Sequence, residues 1–102
     1  MDTLISGRHF EWDDEKAELN RKKHGITFET AALVFEDEAR VEEFDEFHSD
    51  YEERWQVIGK VENVLFVVYT ERRESTRLIS AREANAKERR KYYGNNSTLF
   101  FT

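Results

Sequence analysis

Apolar residues keep a helical spacing in the first third of the chain and an alternating one through the middle. Phe28, Ala31, Ala32 and Phe35 stand at i, i+3, i+4 and i+7. That stripe predicts a helix over 28–35 with one face turned to a core, and Thr27 supplies its cap. Residues 13–24 predict an earlier helix. Asp13 caps it, Asp14 and Glu15 lie in its first turn, and Arg21, Lys22, Lys23 and His24 fill its last. Gly25 then provides a left-handed C-terminal cap, so every end signal agrees with the helix dipole. The apolar face of this helix is thin, Ala17 and Leu19. Two helices meeting at Gly25 predict an N-terminal helical hairpin, with His9–Trp12 as a short edge strand ahead of it.

After Asp37 the period becomes two. Arg40 to Phe44 predicts an edge strand whose acids discourage edge-to-edge pairing. Phe47–Glu53 reads as an acidic loop. Arg54 to Gly59 predicts a strand, and Val64-Leu65-Phe66-Val67-Val68-Tyr69 is the most apolar run and the expected central strand. Val61-Glu62-Asn63 is the turn between them, with Asn63 the residue suited to positive φ. Arg72–Ser75 makes the next turn and Thr76–Arg82 the next strand. Ala84–Tyr93 predicts a C-terminal helix ended by Gly94, supported by a Glu83–Lys87 pair four residues apart. The tail Leu99-Phe100-Phe101-Thr102 is expected to dock as a short strand. The sum is an α+β domain: a helical hairpin, an antiparallel sheet of three to four strands and a C-terminal helix.

Composition narrows the class. The chain has 102 residues, room for one domain. Its 25 Leu, Ile, Val and Phe residues suffice for a small core. With no Cys there are no disulfides, thiolate-zinc sites or Cys nucleophiles. No apolar run reaches the ~18 residues of a membrane span. MDTLISGRHFEW has no basic region ahead of an apolar stretch, so no secretory signal is expected, and a cytoplasmic location is. The net charge of −6 conceals a segregation. Residues 36–53 hold ten acids against one base, Arg40, while residues 71–102 hold eight bases against four acids. A polyanion responds to the local field within about a Debye length, ~8 Å in physiological salt, so the second segment is a candidate phosphate-binding region. It reads equally as a solvated helix face.

Candidate chemistry is limited. His9, His24 and His48 have no metal-ligand spacing, the four glycines are isolated, and no nucleophile triad pattern occurs. Neither a metal nor a cofactor is expected. What remains is a set of strand arginines: Arg54 opening one strand, Arg77 and Arg82 on another. A guanidinium is permanently charged and presents a planar fork matched to phosphate oxygens. RNA transesterification uses such groups, because attack of a 2′-OH on the adjacent phosphorus builds charge on the non-bridging oxygens. Lys23, His24, His48, Glu53 and Tyr69 are the candidates for proton transfer, and Tyr69, Tyr92 and Tyr93 for base stacking. Each has a plain structural reading as well. Arg54 suits a salt bridge to Glu52 or Glu53, His24 a helix cap, Lys23 surface charge, His48 solvent exposure, and Tyr69 and Tyr92 packing. Period two puts Arg77 and Arg82, five apart, on opposite faces of a regular strand. The residues alone reach an anionic-polymer binder, with a metal-free nuclease as its catalytic form.

One resemblance spans residues 9–93. Phe10-Glu11-Trp12-Asp13, Lys23-His24-Gly25-Ile26-Thr27-Phe28 and Ala31-Ala32-Leu33-Val34-Phe35-Glu36-Asp37 resemble the start of BrnT-family toxins. Glu53-Arg54-Trp55-Gln56-Val57-Ile58-Gly59, Leu65 to Arg72, Arg77 to Ala84, Glu88-Arg89 and Tyr92 continue the likeness in order. Glu38 stands where the family commonly has Pro, the 42–53 loop is unusually acidic, and residues 94–102 fall outside the match. The resemblance implies a RelE-like fold and a cytosolic toxin that cleaves RNA. It also implies neutralisation by a ribbon-helix-helix antitoxin, BrnA, and contact with operator DNA only through that antitoxin. The matching positions implied to carry activity are Lys23, His24, Arg54, Arg77, Arg82 and Tyr92, with His48 as a further match. Two other readings stand beside it: a catalytically inactive toxin-like module that binds the antitoxin as co-repressor, and an interaction domain whose acidic loop docks a basic partner.

Overall fold

A computed structural model describes residues 1–46 and 52–97. The order of elements is β1 (Asp2–Ile5), β2 (Arg8–Glu11), α1 (Asp14–His24), α2 (Phe28–Ala32) and a 3-10 turn over Leu33–Glu36. These are followed by β3 (Val41–Phe44), β4 (Trp55–Val61), β5 (Asn63–Arg72), β6 (Ser75–Glu83) and α3 (Ala86–Ser97). The strands form one mixed sheet in the order β1-β2-β6-β5-β4-β3. The architecture is α+β, but the sheet has six strands, and β2 runs parallel to β6. β1 pairs with β2 through a Ser6-Gly7 turn in which both residues have positive φ, the twist a two-residue hairpin needs. Sequence reading missed β1 because its four residues carry only two apolar side chains.

Both N-terminal helices lie on β6, so the sheet, not a mutual helix interface, holds them. α1 forms with the expected caps: Asp13 accepts from the N–H groups of Glu15 and Lys16, and Gly25 is left-handed at φ 74°. Its anchor, however, is polar. Leu19 is exposed, while Asn20 is buried and clips α1 to β6 with its amide, donating to the Ala81 carbonyl at 2.8 Å and accepting from the Ala81 N–H at 3.1 Å. The expected helix over 28–35 shortens. After Ala32 it tightens to 3-10 geometry, and Val34 rather than Phe35 becomes fully buried. Val34 sits against Gly59 of β4, where an added Cβ would lie 2.9 Å from the Val34 Cβ. The glycine thus permits the closest approach of the turn to the sheet.

Two further boundaries differ from expectation. Positive φ in the β4–β5 turn falls on Glu62, not Asn63. α3 starts at Ala86, with Asn85 and Glu88 exchanging backbone and side-chain hydrogen bonds as a capping box, and it runs through Gly94. Glu83 therefore ends β6 and accepts from Asn63 instead of joining a helical pair with Lys87. The Leu99–Thr102 tail lies outside the described residues. So do His48 and most of the Phe47–Glu53 loop.

The core lies on one side of the sheet. Phe10, Trp12, Phe28, Val57, Val67 and Tyr69 pack there under the helices. α3 covers only one end of the opposite side, over Ile58, Val64 and Ala84. Asp37 secures that end by accepting from Tyr92 Oη at 2.6 Å, the Lys60 N–H at 2.8 Å and the Ala39 N–H at 2.9 Å. Part of the acidic segment thus serves as internal fastening. Burial opposes ionisation of Asp37, but these donors and Arg40 hold its carboxyl below the usual range. Burial and the same carboxylate push the Tyr92 hydroxyl up.

Candidate nucleic-acid interface

The uncovered part of the second side forms a cleft of about 520 Å³. Its floor is apolar: Ile58 of β4, Phe66 and Val68 of β5, Ile79 of β6. Gln56 and Ser80 add polar groups to the floor, and among the described residues neither side chain has a hydrogen-bond partner. The rim is charged, with Arg54, Arg82, Lys87 and Lys91 facing Asp45 and Glu88. Arg82 pairs with Glu88 across this rim, and Lys91 pairs with Glu43 beside it.

A bulge shapes this floor. Val68 pairs with Ser80 and the next residue, Tyr69, with Leu78, so Ile79 is the extra residue on β6. The alternation shifts there: Thr76 and Leu78 face the core before it and Ala81 after it. Arg77 and Arg82 consequently share the open side, not opposite faces as period two implied. They do not share a site. Arg77 pairs with Glu11 of β2 at 3.4 Å, away from the cleft lining. Arg82 enters the cleft, where Glu88 takes its guanidinium edge in two bonds of 2.7 and 2.8 Å. Its Cζ lies 4.3 Å from the centre of the Phe66 ring. Burial of Glu88 works against its charge, yet the Arg82 fork and the Asn85 N–H hold its carboxyl below the ordinary value. The pair also raises Arg82 further.

The other sequence candidates disperse. Arg54 precedes β4 on the cleft rim, where its carbonyl accepts from the Asp45 N–H and extends the β3–β4 ladder. Lys23 and His24 are exposed at the end of α1, on the helix-covered side of the sheet. Tyr69 also faces that side, where it donates to Glu42, and burial pushes its hydroxyl up. Tyr92 is buried beneath α3 against Asp37 and turned away from the cleft. Sequence reasoning missed Asp45, Gln56, Glu88, Lys87 and Lys91 as cleft residues. The four-residue spacing of Lys87 and Lys91 was the one available signal, since it places both on one face of a helix. Among the described residues no three His, Asp or Glu side chains cluster as a metal site. No helix among them is long and apolar enough to cross a membrane.

A sheet flanked by N-terminal helices on one side and by a C-terminal helix beside a basic cleft on the other narrows the family. The family model for the ribonuclease toxin BrnT of type II toxin–antitoxin systems matches residues 12–88. This chain belongs to the BrnT family. Its structure is similar to the crystal structure of the ribonuclease toxin BrnT from Brucella abortus. The identity is 26% with a TM-score of 0.56, over 74% of this chain and 95% of that one. Among curated proteins no relative matches the chain significantly. The BrnT match ends at Glu88, so it includes Arg54 and Arg82 and stops short of Lys91 and Tyr92.

Proposed function

We propose that the chain is an endoribonuclease toxin that cuts single-stranded RNA by transesterification at the basic cleft. The 2′-oxygen forms a bond to the adjacent phosphorus, the bond from phosphorus to the 5′-oxygen breaks, and the products carry a 2′,3′-cyclic phosphate and a 5′-hydroxyl. The observation that carries this reading is the gathering of Arg54, Arg82, Lys87 and Lys91 around one opening. Fixed side-chain cations stabilise the charge that grows on the non-bridging oxygens, the role a bound divalent ion plays elsewhere. Arg54 is assigned to that charge, with Lys87 gripping a neighbouring phosphate and Lys91 exchanging Glu43 for another. One proton leaves the 2′-OH and one is delivered to the 5′-oxygen. Asp45 stands in the cleft as the candidate for these transfers, while Glu88 is committed to Arg82. His48 lies outside the described residues and stays a candidate through the family resemblance alone. Lys23, His24, Arg77 and Tyr92 lie away from the opening and are assigned supporting roles.

The family membership supports an antitoxin partner, for which a ribbon-helix-helix protein is proposed, with operator DNA touched through it alone. A short single-stranded oligoribonucleotide tests the chemistry. It is expected to be cut by the purified chain, and a 2′-deoxy substitution on the 5′ side of the cut is expected to block cleavage at that bond. Cleavage that survives the 2′-deoxy substitution overturns the mechanism. The pairing of Arg77 with Glu11 and of Arg82 with Glu88 favours a second reading, a toxin-like module that binds the antitoxin without catalysis. No cleavage of the all-ribose strand, together with antitoxin binding, decides for that reading.

A further inference from the structure

Arg82 has its end-on fork occupied and its side chain partly exposed in the cleft. Glu88 accepts from both terminal nitrogens, and the Glu83 carbonyl accepts from Nη1 at 3.2 Å. Glu88 therefore takes the end-on fork and fixes the plane of the guanidinium, leaving Nε–H and one Nη2–H toward the cleft. It lies over the Phe66 ring on one side, while its side chain is 36% exposed where it lines the cleft. A planar cation backed by an aromatic ring is a stacking surface for a nucleobase. Glu88 is itself fixed by the Asn85 capping box at the start of α3, so the plane is set before any ligand arrives. Below it, Gln56 and Ser80 are half-buried polar side chains without a side-chain partner among the described residues. The bulge at Ile79 keeps Ser80 on this side.

We infer that the Phe66–Arg82 stack is a nucleobase platform, and that Gln56 and Ser80 read the edge of the base seated on it. The inference rests on the ribonuclease reading and names which part of the RNA the cleft selects: one base beside the phosphate held by Arg54. An amide supplies a donor and an acceptor together, so it discriminates between bases that present different edge patterns. Arg82 is thereby a specificity residue and Glu88 its positioning residue.

Equilibrium binding tests this without any turnover. The probes are the four nucleoside 3′-monophosphates and inorganic phosphate, titrated into the full chain. The wild-type protein is expected to bind its preferred nucleotide at least about tenfold more tightly than phosphate, and to separate the four bases by about threefold or more. Arg82→Lys keeps the charge and removes the plane, so it is expected to bring the nucleotide-to-phosphate ratio within about twofold of one. Gln56→Leu and Ser80→Ala are expected to flatten the differences among bases. Stacking also gives a direct signature, an upfield ring-current shift of the Arg82 side-chain protons on adding nucleotide. A wild-type ratio near one, or a ratio that survives Arg82→Lys, overturns the platform. Base preference that persists in both the Gln56 and the Ser80 variants overturns the edge reading. Absence of RNA cleavage in the separate oligonucleotide assay overturns the nuclease reading while these binding ratios still decide the platform.

Discussion

On one side of the sheet Phe10, Phe28, Val34, Val57 and Val67 are at most 1% exposed. On the other, Phe66, Val68 and Ile79 stay half-open to solvent, with Arg54, Lys87 and Lys91 standing around them. Both sides carry apolar residues from the same strands, and the helices decide their fate. α1, α2 and the 3-10 turn cover the middle of the first side, held by a buried Asn20 amide and by the Val34–Gly59 contact. α3 covers only an end of the second. The packed side supplies stability and the open side the candidate site, so substitutions on the two sides are expected to separate folding from function.

The largest effect is expected from the packed side. Phe28→Ala removes a ring set edge-on to Trp12 and leaves a cavity, and should cost about 3–5 kcal/mol in urea unfolding. Val68→Ala, from the same sheet but on the open side, should cost under ~1.5 kcal/mol. Equal costs for the two would erase the distinction. Next, Arg54→Ala is expected to slow RNA cleavage by about 10²–10³-fold, the scale of losing one fixed donor to a developing oxyanion, with a much smaller change in unfolding. Lys23→Ala and His24→Ala, on the covered side, should leave the rate within a few-fold. Asn20→Ala unpairs the Ala81 backbone groups in the core and should cost about 2–3 kcal/mol without altering cleavage chemistry. Gly59→Ala forces the 3-10 turn away from β4 and should cost about 1–3 kcal/mol.

How much of this was legible in the sequence follows from the range of the interactions. Local signals sufficed for α1 and its caps, for the β4–β5–β6 meander and for the α+β class, because dipole ends, glycine caps and alternation are written in neighbouring residues. Long-range pairing was not. The parallel β2–β6 contact depends on strands more than sixty residues apart finding each other. The bulge at Ile79 reversed the expected facing of Arg77 and Arg82, since one unpaired residue changes the side of every position after it. For the site, Arg54 and Arg82 were visible as strand arginines. The partner that commits Arg82, Glu88, became visible only once the capping box placed it.

The smallest expected effect concerns that pair. The folded carboxyl of Glu88 is held below its ordinary value of 4.5, so its contribution to stability is complete above that value. It declines as the pH falls through the depressed folded value. At this partly exposed position the gain is about 1 kcal/mol or less. Unfolding measured against pH should show the wild-type losing this increment in acid and the Glu88→Gln variant lacking it throughout. A variant that matches the wild-type at neutral pH would remove Glu88 from the account of the cleft.

The central claim is that side-chain cations on the open side grip and cleave a phosphodiester. End-group analysis of RNA cut by the purified chain in excess EDTA tests it most directly, with wild-type and Arg54→Ala compared side by side. The expected result is 2′,3′-cyclic phosphate and 5′-hydroxyl ends from the wild-type, and at least a hundredfold slower release from the variant. Products with 3′-hydroxyl and 5′-phosphate ends, cutting that returns only on adding magnesium, or an undiminished Arg54→Ala rate would contradict it.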